Sequence, residues 1–153
     1  MTSSYNYKQF TILYVDDESQ TAANFRDYFS DTFDVEVATS GEDAWRIFSQ
    51  NPNRFGIVMT DQRMPNSSGV ALLEKVRASR PKVIRMLATA YSDLDAAIQA
   101  VNSGAIYKYV TKPWDIPQLE VTLRRALEFF IVQRERDLLL KRAKTGAQPL
   151  STE

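Results

Sequence analysis

At 153 residues the chain is the size of one ordinary domain, long enough to bury one sizeable core but not two. Lys+Arg and Asp+Glu both number 19, so the net charge is zero and argues neither for nucleic-acid binding by a basic excess nor for disorder by an acidic one. With no cysteine and no histidine, disulfides, thiolate metal sites, His-dependent triads and most zinc centres are excluded, and any chemistry falls to carboxylates, hydroxyls, Lys, Arg or Tyr.

The charge is unevenly spread. Up to Trp45 there are nine acids against Lys8 and Arg26, whereas from Lys112 to Lys144 eight bases outnumber five acids. The first half is expected to attract cations and the last segment to meet a partner. The opening MTSSYNYKQF has neither a basic n-region nor an apolar h-region, and no window reaches the length of a membrane span. A cytoplasmic location without membrane contact is the expectation.

In chain order, FTILYV (10–15) is a short branched and aromatic run that predicts a strand, stopped by Asp16, Asp17 and Glu18. Ala22, Ala23, Phe25 and Phe29 recur near helical spacing from Ser19 to about Ser30. FDVEVA (33–38) alternates like a strand with one exposed face, and Ser40 with Asp43 reads as a capping box opening a helix through Ala44, Ile47 and Phe48. Pro52 ends that helix, and FGIVMT (55–60) predicts a third strand. A helix from Ser68 to Ala78 precedes Pro81, and KVIRMLAT (82–89) predicts the fourth strand. Ser92 and Asp95 repeat the capping signal before a helix carrying Leu94, Ala97, Ile98 and Val101, with Gly104 at its C′ position. IYKYV (106–110) is the fifth strand, and a last helix runs from about Ile116, with Pro117 in its first turn, to beyond Leu140.

Five strands alternating with five helices call for a parallel sheet covered on both faces. Right-handed crossovers leave a doubly wound α/β sheet, of order 2-1-3-4-5 or of a Rossmann-type variant, with ligands outside the C-terminal strand ends. Strand one ends in Asp16 and Asp17, strand three in Asp61, strand four in Thr89, and strand five leads into Lys112. Any one of these alone is what a solvated turn or a cap supplies. Their joint placement on the ligand side argues for a site. Converging carboxylates repel unless a cation sits among them, and oxygen donors without His or Cys suit Mg²⁺, or Mn²⁺ as its substitute. Mg²⁺ completes its shell with waters and phosphate oxygens, and a carboxylate can itself accept a phosphoryl group. In that chemistry Asp61 is the nucleophile, the metal and Lys112 neutralise phosphoryl oxygens, and Thr89 donates to one of them.

The motifs ILYVDDE (12–18), MTDQRMP (59–65) with Gly69 beyond it, LATAY (87–91) and YVTKPW (109–114) resemble, in order and near spacing, the receiver domain of two-component response regulators. The resemblance covers roughly residues 8–130 and implies a flavodoxin-like 2-1-3-4-5 sheet. It implies Asp61 as phosphoacceptor, Asp17 as direct metal ligand, Asp16 acting mainly through water, and the Arg63 carbonyl as a further ligand. Thr89 and Tyr109 correspond to the switch pair, Lys112 to the phosphate-binding lysine, and Lys112-Pro113 to a cis bond. It further implies a phosphohistidine donor on a sensor histidine kinase or phosphotransfer protein, and a signal carried on the face of helix four, strand five and helix five. Arg63 and Tyr91, two residues beyond Asp61 and Thr89, flank the route of attacking water and are expected to set the phosphoryl lifetime.

Past Phe130 the last helix continues with Ile131, Arg134, Leu138 and Lys141 on a heptad-like stripe, so 131–144 is expected as a dimerising or signalling extension and 145–153 as a disordered tail. A homodimer through the helix-four face or this extension follows, with no direct nucleic-acid contact by the domain. The chain is expected to be no enzyme beyond its own phosphorylation and dephosphorylation. The alternative is the N-terminal receiver module of a larger protein: a sensor histidine kinase, a cyclic-dinucleotide phosphodiesterase or a transcription activator. A haloacid-dehalogenase-like phosphatase is disfavoured, because it wants a second acid two residues after its nucleophile and position 63 is Arg.

Overall fold

A computed structural model describes residues 5–145. β1 (Thr11–Val15) is buried at every position, because both faces of a central parallel strand are covered. α1 (Ser19–Phe29) turns Ala22, Phe25 and Phe29 inward. β2 (Asp34–Ala38) lies at the sheet edge with only Ala38 fully buried, which is why its sequence alternates. α2 (Gly41–Gln50) is capped by Ser40, whose Oγ accepts the Asp43 N–H at 3.0 Å. Only half of the predicted box forms, since the Asp43 carboxylate turns to Arg46 instead.

A single 3₁₀ turn, Pro52–Arg54, leads into β3 (Phe55–Asp61). A two-residue ladder, Arg63–Met64 against Ser67–Ser68, closes over Pro65 and Asn66, and Asn66 takes the left-handed conformation (φ 66°) that asparagine tolerates. α3 (Gly69–Ser79) starts one residue later than predicted because Ser68 serves as its cap, accepting the Ala71 N–H at 3.1 Å. β4 (Ile84–Thr89) and β5 (Lys108–Thr111) also start two residues late. Val83 is tied into a turn by its N–H to the Arg80 carbonyl, and Ile106 by its N–H to Ala100 at the close of α4 (Leu94–Asn102). Gly104 takes φ 81° just beyond that helix, as its C′ assignment requires.

The Ser92 cap does not form. Tyr91–Asp93 is a 3₁₀ turn, Asp93 stands at the N-cap of α4 without bonding the helix, and its carboxylate is engaged elsewhere. α5 (Ile116–Thr145) is opened by Asp115, whose Oδ1 accepts the Gln118 N–H at 3.1 Å.

The strand order is β2-β1-β3-β4-β5, all parallel, which is the 2-1-3-4-5 solution and not the Rossmann-type variant. Right-handed crossovers in that order put α1 and α5 on one face and α2, α3 and α4 on the other. Each large core side chain stabilises the fold by about 1.5–3 kcal/mol through burial. The aromatics Tyr14, Phe25, Phe29 and Phe33 are all completely or almost completely enclosed.

α5 buries Leu119, Leu123, Ala126, Leu127 and Phe130 against the sheet, at the spacing expected. Ile131 is buried too, so it belongs to the core and not to the outer stripe. The helix stays docked further: the Arg134 guanidinium lies 5.2 Å from the Phe10 ring centre, and Lys82 pairs with Asp137 at 3.9 Å. Beyond this, Leu138, Leu139 and Leu140 are each about half exposed. All but Thr145 of the predicted tail lies outside the described residues.

Candidate functional site

The register sets the carboxyl ends of the strands side by side. Val15 pairs with Ala38 and Thr60, Asp61 with Ala88, and Thr89 with Thr111, so whatever follows each strand emerges along one edge. Between β1 and β3 lies the point where strand order reverses, the ligand position of a doubly wound sheet. There Asp16, Asp17 and Asp61 offer carboxylate oxygens within 4.8 Å of one another. Asp16 is completely buried, Asp61 half-buried and Asp17 exposed.

Lys112 stands between two of them. Its Nζ donates to Asp16 Oδ2 at 2.9 Å and lies 3.5 Å from Asp61 Oδ2. The Asp16 carboxylate has two further donors: the Tyr14 hydroxyl on the same Oδ2 at 2.7 Å, and the Glu18 N–H on Oδ1 at 3.0 Å. Asp17 makes no hydrogen bond among the described residues. The peptide bond from Lys112 to Pro113 is cis.

These contacts fix the electrostatics. Burial raises the Asp61 carboxyl above its ordinary value, the nearby Lys112 charge opposes this, and the Asp16 charge reinforces it. Burial works against the charge on Lys112, yet its bond to Asp16 and the charges of Asp16 and Asp61 outweigh that and raise its pKa. Burial first, then the bond to Asp16, pushes the Tyr14 hydroxyl far above its normal range, so it stays a donor. The oxygen set is hard and acidic, and with one ammonium facing three carboxylates it fits a divalent cation of the Mg²⁺ kind.

The loop after Asp61 is held close. Gly69 donates its N–H to the Gln62 carbonyl at 2.9 Å, and a Cβ at Gly69 would sit 2.4 Å from the Asp61 carbonyl oxygen, so no other residue fits there without moving the acceptor. The Gln62 side chain accepts the Val70 N–H at 3.1 Å. Thr89 is buried at the end of β4, with its hydroxyl directed to the Ala90 carbonyl at 3.3 Å. Tyr109 is half-buried against the core, whereas Tyr107 is exposed and stacks on Phe129 at 5.9 Å. Tyr91 is 71% exposed.

Arg63 is not free. Its Nε and Nη2 donate to the two oxygens of Asp93 at 2.7 and 2.6 Å, a fork that ties the β3–α3 loop to the turn before α4. The pair raises the pKa of Arg63 and lowers that of Asp93.

Residues 12–124 match the family model described as the response regulator receiver domain. The chain belongs to the receiver domain family. It is 35% identical over 127 residues to the hydrogenase transcriptional regulatory protein HoxA of Bradyrhizobium diazoefficiens, covering 83% of this chain and 26% of that protein. The chain thus spans about a quarter of the length of the curated relatives it matches. Among solved structures, a receiver domain from Clostridium thermocellum is 31% identical with a TM-score of 0.75, covering 84% of this chain and 98% of that one. The receiver domain of an HD domain-containing protein from Pseudomonas fluorescens is 27% identical with a TM-score of 0.77, covering 89% and 99%. Receiver domains act in two-component signalling with histidine kinases or phosphotransfer proteins, are not enzymes in the ordinary sense, and bind Mg²⁺ in an acidic pocket. This receiver has such an acidic cluster.

Two residues bonded into this region carry little signal in the sequence: Tyr14 lies within an apolar strand run, and Asp93 within a polar turn. The only linear signal was the parity of Tyr14 with Asp16, two positions apart on one strand and so on one face.

Proposed function

We propose that this receiver accepts a phosphoryl group on Asp61 and answers by remodelling the face formed by α4, β5 and α5. The observation that carries the reading is the set of three carboxylates within 4.8 Å, with Lys112 bridging two of them at the sheet's reversal point. Asp17 and Asp61, with Asp16 through water and the Arg63 carbonyl, would hold Mg²⁺. When bound, the metal neutralises charge on the phosphoryl oxygens. An Asp61 oxygen forms the new bond to phosphorus as the donor's P–N bond breaks in a phosphohistidine, or its P–O bond in an acyl phosphate. The electron pair leaves with the imidazole or the carboxylate. Lys112 then serves the phosphoryl oxygens. Thr89 exchanges its Ala90 carbonyl for the new dianion, and Tyr109 turns toward the vacated space.

Arg63 and Tyr91 time the signal by governing the approach of water. The fork to Asp93 supports this role for Arg63, because it ties the guanidinium of the second residue after Asp61 to the turn that follows Thr89. The test of the central reading is incubation with Mg²⁺ and acetyl phosphate or beryllofluoride. The wild type should change and Asp61→Asn should not; a Mg²⁺-dependent change shared by both would overturn it.

A second reading concerns context, and the 26% coverage of the HoxA regulator favours it. The domain, bounded near 8–130, is the receiver module of a longer regulator, whether a transcription activator or a protein with an enzymatic output such as a sensor kinase or phosphodiesterase. Residues 131–144 then form the connecting or dimerising helix. No described helix is long and apolar enough to cross a membrane, which is compatible with a cytoplasmic location. The sequence of the full gene decides the output.

A further inference from the structure

Tyr14 is the only hydroxyl that reaches the acidic cluster among the described residues. β1 projects Tyr14 and Asp16 to the same side, and the ring is clamped there. It stacks on Phe25 of α1 at 4.2 Å and 17°, and meets Trp114 edge-on at 5.7 Å. With the ring fixed and wholly buried, the hydroxyl has one place to go, Asp16 Oδ2 at 2.7 Å. That is the oxygen Lys112 also uses, at 2.9 Å. Lys112 in turn sits 5.8 Å from the Trp114 ring centre, so one aromatic borders both donors.

This sharing creates and solves a problem. Lys112 is needed at the phosphoryl oxygens on Asp61, yet in this state its shorter contact is to Asp16. Asp16 is wholly buried, and a buried carboxylate that loses its ammonium is costly unless other donors remain. A carboxylate has about four acceptor positions. The Tyr14 hydroxyl occupies one on the contested oxygen and stays when Lys112 leaves.

We propose that Tyr14 is a positioning residue for phosphoryl transfer: its hydroxyl shares Asp16 Oδ2 with Lys112, loosening the hold of Asp16 on the lysine and keeping that carboxylate bonded once Lys112 turns to the phosphoryl group. The inference rests on the acceptor role of Asp61.

Tyr14→Phe keeps the ring, its stacking and its volume, and removes only the hydroxyl. The test is a titration of the chain with beryllofluoride in saturating Mg²⁺, followed by the emission of Trp114 beside Lys112. Tyr14→Phe should weaken beryllofluoride binding about tenfold, the size of one hydrogen bond to a charged group. Its affinity for Mg²⁺ alone should stay unchanged. In a Lys112→Met background the same substitution should have no effect, because the lysine it releases is gone. A merely structural role for Tyr14 would weaken both ligands and persist without Lys112, and either result overturns the proposal. So does beryllofluoride binding equal to the wild type, or a Tyr14→Phe chain that fails to fold. A wild type that ignores beryllofluoride overturns the acceptor reading and this inference with it, whereas a responsive wild type matched by Tyr14→Phe overturns this inference alone.

Discussion

Two ion pairs flank Asp61, and they are built oppositely. Lys112 and Asp16 meet inside the sheet edge, with Asp16 fully enclosed and further bonded by Tyr14 and the Glu18 N–H. Arg63 and Asp93 meet nearer the surface, across two loops, with the arginine side chain 80% exposed and the aspartate 15%. Stranding one partner of a buried pair costs about 3–5 kcal/mol. An exposed pair is screened by solvent and separates at little net cost. The inner pair therefore separates only because Tyr14 and the Glu18 N–H keep Asp16 bonded, whereas the outer pair is a contact that exchanges during a signal at little cost.

The largest test of this contrast removes the acceptor both pairs surround. Asp61→Asn should abolish the Mg²⁺-dependent response to acetyl phosphate while leaving both pairs in place, as read by intrinsic fluorescence. Next, Lys112→Met should slow phosphorylation by acetyl phosphate roughly 10²-fold, the scale of removing one preorganised electrostatic contact. A rate near the wild type would move the chemistry away from the inner pair.

A smaller effect is expected on stability. Burial holds the Asp61 carboxyl above its ordinary 3.8, so its protonated form suits the fold better than its charged form. That contribution is fully present below pH 3.8 and is lost as pH rises through the folded value. In EDTA at neutral pH, Asp61→Asn should melt a few degrees above the wild type, and the gap should close on acidification below 3.8. Melting curves that stay apart at low pH would trace the gain to something other than charge.

The outer pair should show the smallest effects. Arg63→Ala and Tyr91→Ala should each change the half-life of the phosphorylated form by several-fold, measured by loss of label after the donor is removed. Asp93→Asn should change it in the same direction as Arg63→Ala if the fork positions the guanidinium. Melting should barely move in any of the three. The pair's contribution is present above the ordinary carboxylate range and fades only as pH falls through the lowered value of Asp93. Unchanged half-lives in all three would leave the outer pair a surface ornament.

Much of the inner site was legible because its members end apolar runs. Asp16, Asp17, Asp61 and Thr89 each follow a stretch that a buried strand needs, and Lys112 follows β5, so chain position alone sent them to one edge. The outer pair was only half legible. Arg63 stood out by its distance from Asp61, but Asp93 was hidden behind a Ser92–Asp95 capping pattern that the 3₁₀ turn does not use. Ile131 departs from its expected stripe for a related reason. Helical periodicity repeats regardless of where the sheet stops, and the docked segment outruns the point where a receiver's last helix need cover the sheet.

By itself the sequence determined the alternation of strands and helices and which side of the sheet carries the acids. These follow from local periodicity and the burial of both faces of a parallel sheet. The strand pattern left the 2-1-3-4-5 and Rossmann-type orders open, the motif resemblance implied the first, and the tertiary structure has it; only the tertiary structure paired Arg63 with Asp93, Lys112 with Asp16, and the Tyr14 hydroxyl with the same Asp16 oxygen. Those contacts join residues up to 96 positions apart. Their strength depends on burial and on a shared oxygen atom, neither of which any local stretch of sequence encodes.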